Sequence, residues 1–244
     1  MQAVILAGGL GTRLKPHTKY FNKHVIPVYD VPMLHFSLTV AHNSKCTDLI
    51  ICLSGNQPDV IMNYITSNWS DKFASVSFIY DPETKGTGYS LQNASHLFSD
   101  NESILVVCGD NIFHPQFNVI KENTLTEPNS CHIFIAKTDS SYQRGSYVKM
   151  EFSENHIVKD VIRTDEPIYP EYLMAGIAIY GPGFKTIIKN IDISKTYDIF
   201  EITSFMCKNH KCSYSTIDTW WYDAGTHEGL FKATETYRNW KLNN

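Results

Sequence analysis

Met1-Gln2-Ala3-Val4-Ile5-Leu6-Ala7-Gly8-Gly9-Leu10-Gly11-Thr12-Arg13-Leu14 decides how the rest of the chain is read. The run from Ala3 to Ala7 is continuously apolar, the pattern of a strand buried on both faces of a parallel sheet rather than one half in water. It feeds directly into Gly8, Gly9 and Gly11, where a bare backbone can turn its N–H groups inward and come close to phosphate oxygens. Arg13 closes the loop, and Lys23 follows ahead of Val25-Ile26-Pro27-Val28. Two fixed cations beside a glycine loop suit a polyphosphate that is to be transferred. The competing reading is a tight turn after the first strand, and Arg13 and Lys23 weigh against it. A dinucleotide fingerprint would place glycine where Leu14 stands, and the Gly-Lys-Ser/Thr of a Walker loop is absent.

Working outward, strand-like runs recur at Leu49–Leu53, Val76–Tyr80, Ile104–Val107, His132–Ala136, Val148–Phe152, Gly176–Tyr180 and Tyr214–Ile217. Helical spacing appears between them at Pro32–His42, Asp59–Ser67 and Gly88–Phe98, and Glu228–Trp240 reads as a closing amphipathic helix. Alternation of this kind predicts an α/β fold, a mostly parallel sheet with helices on both faces. From about Ser140 to Tyr180 polar and apolar residues alternate and helix signals are few. An antiparallel layer is expected there, on a chain read from 1 to 244 as one domain. The 244 residues are 43% hydrophobic and carry a net charge of −4. That balance supports a sizeable core and gives no basic field for nucleic acid. No apolar run approaches the ~18 residues that cross a bilayer, and residues 3–7 lack the charged leader of a signal peptide. Cys46, Cys52, Cys108 and Cys131 read as buried thiols of a reducing cytosol. Cys207 and Cys212 flank His210; they read as exposed or helix-end thiols rather than a zinc clip.

Two acidic positions complete a candidate site. Ile104–Cys108 ends in Gly109-Asp110-Asn111, which puts Asp110 at the carboxyl end of a buried strand, the usual ligand crevice of an open α/β sheet. Trp220-Trp221-Tyr222-Asp223-Ala224-Gly225-Thr226-His227 puts a second aspartate in a glycine-containing turn before a helix. Two carboxylates with phosphate oxygens and water suffice for Mg2+. Alone, Asp110 reads equally as a turn former and Asp223 as a helix cap.

Taken together these residues resemble the sugar-1-phosphate nucleotidyltransferase family, its short-form glucose-1-phosphate thymidylyltransferases above all. The resemblance runs from end to end. It rests on Leu6–Leu14, on Asn22-Lys23-His24-Val25-Ile26-Pro27-Val28, on Gly109-Asp110-Asn111-Ile112-Phe113, on Glu201-Ile202-Thr203 and on Trp221–His227. It implies a Rossmann-like three-layer α/β/α fold and a cytoplasmic enzyme. The oxygen of a sugar 1-phosphate would attack the α-phosphorus of a nucleoside triphosphate, dTTP by default, and expel pyrophosphate. Arg13, Lys23 and Asp110 would be catalytic, and Asp110 and Asp223 would hold Mg2+. Leu6, Ala7, Gly8, Gly9, Gly11, Thr12, Asp81, Gly86, Thr87 and Gly109 would line the nucleotide. Asn111, Ser146, Arg163, Asp165, Glu166 and Gly176 would meet the sugar phosphate. A homo-oligomer, dimer or tetramer, follows by analogy.

The chain also departs from the resembled pattern. Asp81-Pro82-Glu83-Thr84-Lys85-Gly86 stands where the family has Gln-Pro-Ser-Pro-x-Gly. An ionised carboxylate only accepts hydrogen bonds, so it suits N3–H of thymine or uracil, an amino group of cytosine or two N–H groups of guanine. Alternatively Asp81 turns outward and backbone groups read the base. Ile162-Arg163-Thr164-Asp165-Glu166-Pro167 replaces Glu-Glu-Lys-Pro, and Arg144-Gly145-Ser146-Tyr147-Val148 replaces Arg-Phe-Gly-Val-Val. Arg163 is either the phosphate anchor in place of lysine or part of a solvated turn. Competing functions are the same transfer from CTP, UTP or GTP to a non-glucose phosphate, and a silent binder of nucleotide sugars. A nicotinamide oxidoreductase is disfavoured by Leu14. Tyr142, Trp220 and Trp221 read as stacking or packing aromatics, His227 as a phosphate contact or a helix start, and His24 and His114 as residues without an evident role.

Overall fold

Strand β1 (Gln2–Ala7) is buried at every position and lies within a block of parallel strands. The computed structural model describes residues 1–120, 127–137, 147–153, 157–164, 172–192 and 198–244. Beside β1, β4 (Asp48–Ser54) and β6 (Ile104–Cys108) pair in parallel, and β5 (Ser75–Asp81) extends the block beyond β4. The sheet then turns antiparallel at β11 (Tyr172–Tyr180), which lies between β6 and β8 (Cys131–Lys137). β12 (Cys212–Thr216) is parallel to β8 and leads to β10 (Ile157–Thr164) and β9 (Tyr147–Ser153), both antiparallel to their neighbours. The nine-stranded order is β5-β4-β1-β6-β11-β8-β12-β10-β9. The antiparallel region expected after Ser140 therefore continues the same sheet.

Helices cover both faces because alternate side chains of the strands point to opposite sides. On one face Val4, Leu6, Ile50 and Val106 meet Leu91 and Ala94 of α3 (Thr87–Ala94), Ile188 of α4 (Phe184–Lys189) and Ile202 and Met206 of α5 (Ile199–Asn209). On the other, Ala3, Ile5, Leu49 and Ile51 meet Leu34 and Leu38 of α1 (Leu34–Asn43) and Ile61 and Ile65 of α2 (Pro58–Asn68). Pro58 begins α2, at the turn where its missing N–H costs nothing. α1 starts at Leu34 rather than Pro32 because Val31–Pro32 (β3) pairs with Pro27–Val28 (β2) in a separate ribbon. A third apolar cluster packs α6 (His227–Leu242), through Ala233 and Tyr237, on Leu14, Ile26, Val28, Met33, Phe36 and Ile112. It supports the loops at the ends of β1 and β6.

Cys46, Cys52 and Cys131 are buried as expected and Cys108 is half-buried. Cys207 is a helix-end thiol as expected, but neither it nor Cys212 is exposed: they are 8% and 0% exposed. Cys207 lies in the last turn of α5 and Cys212 opens β12, and both side chains enter the same apolar cluster as Cys131. Polar Lys211 and Ser213 beside Cys212 concealed that burial in the sequence. No helix among the described residues is long and apolar enough to cross a membrane.

Candidate active site

The carboxyl ends of the parallel strands carry the expected residues. Beyond Ala7 the chain enters the glycine loop; Gly9 and Gly11 adopt φ of +99° and +60°, left-handed backbone that favours glycine. The Gly9 N–H donates to Ser54 Oγ at 2.9 Å, so the last residue of β4 pins the loop. Thr18 Oγ1 donates to the Gly11 carbonyl at 2.7 Å. Thr12 and Arg13 form a short helical turn closed by buried Leu14, which leaves Arg13 exposed on the open side.

Lys23 begins another short turn, capped by Asn22, whose Oδ1 accepts the His24 N–H. The Asn22 amide donates to the Asn56 carbonyl at 2.7 Å, which fixes its orientation. His24 Nδ1, 3.1 Å from the same Asn22 Oδ1, must then be the protonated nitrogen. His24 is fully buried; burial first, and then the Lys23 charge, push its pKa down to about 3. The neutral ring packs against the backbone of Gly109, where a Cβ would come within 2.8 Å of the imidazole. His24, without an evident role in the sequence, is thus the wedge between the Lys23 turn and the Gly109-Asp110 corner.

Lys23 Nζ reaches Asp110 Oδ2 at 2.6 Å across 87 residues of sequence. Burial works against the Asp110 charge, but the Lys23 ammonium, by charge and hydrogen bond, and the Arg13 guanidinium outweigh it and hold the carboxyl well below the ordinary range. The opposite happens at Asp223, where burial and then the negative Asp110 raise the pKa. The two aspartates are brought together by β13 (Trp221–Asp223), which pairs with β7 (Asn111–Phe113) so that Asp223 lies opposite Asn111. The Ala224 N–H donates to the Asp110 carbonyl at 2.9 Å and locks the corner. Gly225 marks the point of convergence: a Cβ there would lie 2.9 Å from Arg13 and from Asp223 Oδ1, and 3.2 Å from Asp110 Oδ2. A guanidinium, an ammonium and two carboxylates therefore share one small volume at the strand ends. The described residues contain no group of three or more His, Cys, Asp or Glu that could hold a metal. Two carboxylates that repel each other are hard oxygen donors and fit Mg2+, whose other ligands come from phosphate and water.

Other expected residues take up different partners. Asp81, 2% exposed at the end of β5, accepts from the N–H groups of Glu83 at 2.9 Å and Lys85 at 3.2 Å. Thr87 Oγ1 donates to Asp198 Oδ1 at 2.8 Å and accepts from the Ile199 N–H at 2.9 Å, joining the start of α3 to the cap of α5. Asp198 and Glu201 form a reciprocal capping box there. Asn111 donates to Asp110 Oδ1 at 3.1 Å and accepts from the Trp221 indole at 2.9 Å. Gly176 lies against that amide. His227 begins α6, and its Nε2 donates to the Lys15 carbonyl at 2.8 Å. The cap of α6 is Thr226 rather than Asp223. His114 lies between Trp220 and Trp240. Arg163 falls on β10 opposite Val148. Ser146, Asp165, Glu166 and Tyr142 lie outside the described residues.

Sequence reasoning missed Ser54, Asp198 and Gly225. Ser54 ends an apolar strand as Asp110 follows one, and Asp198 with Glu201 is the Asp-x-x-Glu signature of a capped helix.

Residues 2–239 match the family model described as nucleotidyl transferase. The glucose-1-phosphate thymidylyltransferase of Neisseria meningitidis is 24% identical over 238 residues, covering 96% of this chain and 81% of that one. A low-salt glycan biosynthesis nucleotidyltransferase of Haloferax volcanii is 22% identical over 96% of this chain and 65% of its own. Among solved structures, a Bacillus anthracis protein assigned as a glucose-1-phosphate thymidylyltransferase, in complex with sucrose, superposes with a TM-score of 0.84 at 24% identity, covering 98% of this chain and 95% of the other. A UDP-glucose pyrophosphorylase with UDP-glucose superposes at 0.76 with 18% identity, over 98% of each chain.

Proposed function

Because the chain belongs to the nucleotidyl transferase family, we propose that it moves a nucleotidyl group from dTTP to a sugar 1-phosphate, with Mg2+, and releases pyrophosphate. One observation carries this reading: Arg13, Asp110 and Asp223 converge on Gly225 while Lys23 sits on Asp110. The names of the sequence relatives support the thymidylyl donor and the sugar-phosphate acceptor.

In the transfer, a phosphate oxygen of the sugar phosphate bonds to the α-phosphorus, and the α–β bridging oxygen leaves with pyrophosphate. The nucleophile is already ionised, so no general base is required. That agrees with a nearby His24 that is neutral, buried and tied to Asn22. The work of the chain is positioning and charge compensation. Arg13 takes the β- and γ-phosphate side, and the glycine loop, pinned by Ser54, approaches the triphosphate backbone. Lys23 lies beside Gly9 and reduces repulsion between the α-phosphate and the incoming phosphate. Asp110 and Asp223 would hold Mg2+, which when bound polarises the phosphoryl oxygens. Asp81 ties its own loop through two backbone N–H groups, so we assign base reading to the backbone around Gly86 and Thr87. A cytoplasmic location and a homo-oligomer complete the proposal.

The test is a matrix of dTTP, UTP, CTP, GTP and ATP against a panel of sugar 1-phosphates, with Mg2+, scored by pyrophosphate release. Turnover is expected with dTTP. Turnover with another donor alone moves the specificity, and none with any pair favours a binder.

A further inference from the structure

Asn111 was expected at the sugar phosphate, but its amide is enclosed by three elements. The Trp221 indole N–H donates to Asn111 Oδ1 at 2.9 Å. Indole nitrogen is a donor only, so the atom it meets must be the amide oxygen. That fixes the amide orientation and turns the NH2 toward Asp110, where Nδ2 donates to Oδ1 at 3.1 Å. Lys23 holds the other oxygen, Oδ2, at 2.6 Å. Both oxygens of the Asp110 carboxylate are thereby oriented by named donors. β11 makes the room: its register shifts between Met174 and Ala178, around Gly176 at φ +63°. A Cβ at Gly176 would lie 2.7 Å from Asn111 Nδ2 and 2.9 Å from Oδ1. Asn111 is 6% exposed.

We infer that Trp221 is a positioning residue: through the Asn111 amide it holds the Asp110 carboxylate in the orientation that receives the metal. This rests on the Mg2+ reading proposed above. Without the indole N–H, Asn111 Oδ1 loses its donor and the amide keeps only its bond to Asp110 Oδ1, so the carboxylate is held less firmly. Trp221→Phe removes that N–H and keeps an aromatic ring in place.

The test measures Mn2+ binding to the full chain by electron paramagnetic resonance titration, beside steady-state kinetics and thermal melting. Trp221→Phe is expected to bind Mn2+ roughly 10-fold or more weakly, as loss of an outer partner of a metal ligand typically does. The KM for the sugar phosphate should stay within about 2-fold, a split that loss of a direct sugar contact would reverse. Should Trp221→Phe fail to fold, Asn111→Leu, which leaves the indole in place, carries the Mn2+ expectation alone. Wild-type Mn2+ affinity in a folded variant, or a raised KM with unchanged Mn2+ binding, overturns the inference while wild-type turnover keeps the proposed function. Absence of Mn2+ binding by the wild-type chain overturns the inference, and absence of turnover beside a normal wild-type-to-variant ratio overturns only the function.

Discussion

At Asp81 the single-residue chemistry is that of a loop lock. Its two oxygens accept from Glu83 and Lys85, and the group is 2% exposed. Asp81→Asn keeps one acceptor but sets an NH2 against a backbone N–H. The cost expected for an unmet donor is about 1–2 kcal/mol. In a chain of this size that lowers the melting temperature by roughly 2–8 °C. If the carboxylate only holds the loop, the order of kcat/KM among nucleoside triphosphates stays as in the wild type. A variant that changes its preferred triphosphate would place Asp81 on the base instead. The sequence showed that a carboxylate stood at this position but not where it pointed, because an Asp-Pro-x-x-Lys segment reads alike whether its oxygens turn to a ligand or to the next N–H groups. Lys23 and Asp110 present a similar limit: alone, Asp110 reads equally as a turn former, and only the fold brings the two to 2.6 Å. The Trp221–Asn111 contact spans 110 residues and left no trace in either segment.

Elements with one clear periodicity were legible. The buried strands β1, β4, β6 and β8 are continuous apolar runs, and α1, α2, α3 and α6 keep helical spacing. Among the elements that escaped, which include the short ribbons and α4, β10 and α5 did so for separate reasons. β10 carries a register shift between Val158 and Asp160, which breaks the alternation that reveals a strand. α5 is rich in β-branched and aromatic residues, Ile199, Phe200, Ile202, Thr203 and Phe205, which read toward strand, although Ile199, Ile202, Thr203 and Met206 keep helical spacing behind the capping box. These two elements are joined by Asp160, whose Oδ1 accepts from Ser204 Oγ at 2.6 Å and whose Oδ2 pairs with Lys208 at 2.9 Å. Partial burial opposes the Asp160 charge, yet Ser204, Lys208 and the Val161 N–H lower its pKa below the ordinary value. The unfolded chain therefore binds the proton first as pH falls, and the stability this group contributes is complete above about pH 4 and declines below it. Asp160→Asn is expected to lose about 1 kcal/mol at neutral pH and to converge with the wild type in acid. Urea midpoints measured from pH 7 downward check this; parallel curves at every pH would mean that Asp160 is not anchoring α5 to the sheet.

For the whole molecule, the sheet divides its labour between two ends. Its parallel block sends four chain segments out at one edge, after Ala7, Ser54, Asp81 and Cys108; the glycine loop, Gly86-Thr87 and Gly109-Asp110 follow three of them, while Asp223 and Gly225 arrive from the separate β13 ribbon. That half was legible, since continuous apolar runs followed by glycine or acidic turns have few other meanings. The antiparallel half was less so, because β8 and β12 are parallel inside it and β11 reverses direction against both β6 and β8. The arrangement has a thermodynamic consequence. On the proposed reading a nucleotide would sit on loops at the ends of the parallel strands, on the sheet whose two faces hold the main apolar clusters, so its release would accompany global unfolding rather than the opening of one loop. A ligand that binds only the folded chain adds RT ln(1 + [L]/Kd), about 2.7 kcal/mol at a hundred times Kd. For a chain of this length that raises the melting temperature by roughly 5–10 °C. Melting curves with Mg2+ and increasing dTTP should show this rise, continuing with the logarithm of concentration beyond saturation. Inorganic phosphate at equal concentration should produce less, because it reaches only the cation cluster. A flat melting temperature with dTTP at millimolar concentration would mean that the glycine loop does not hold this nucleotide, and would turn the specificity to one of the other triphosphates.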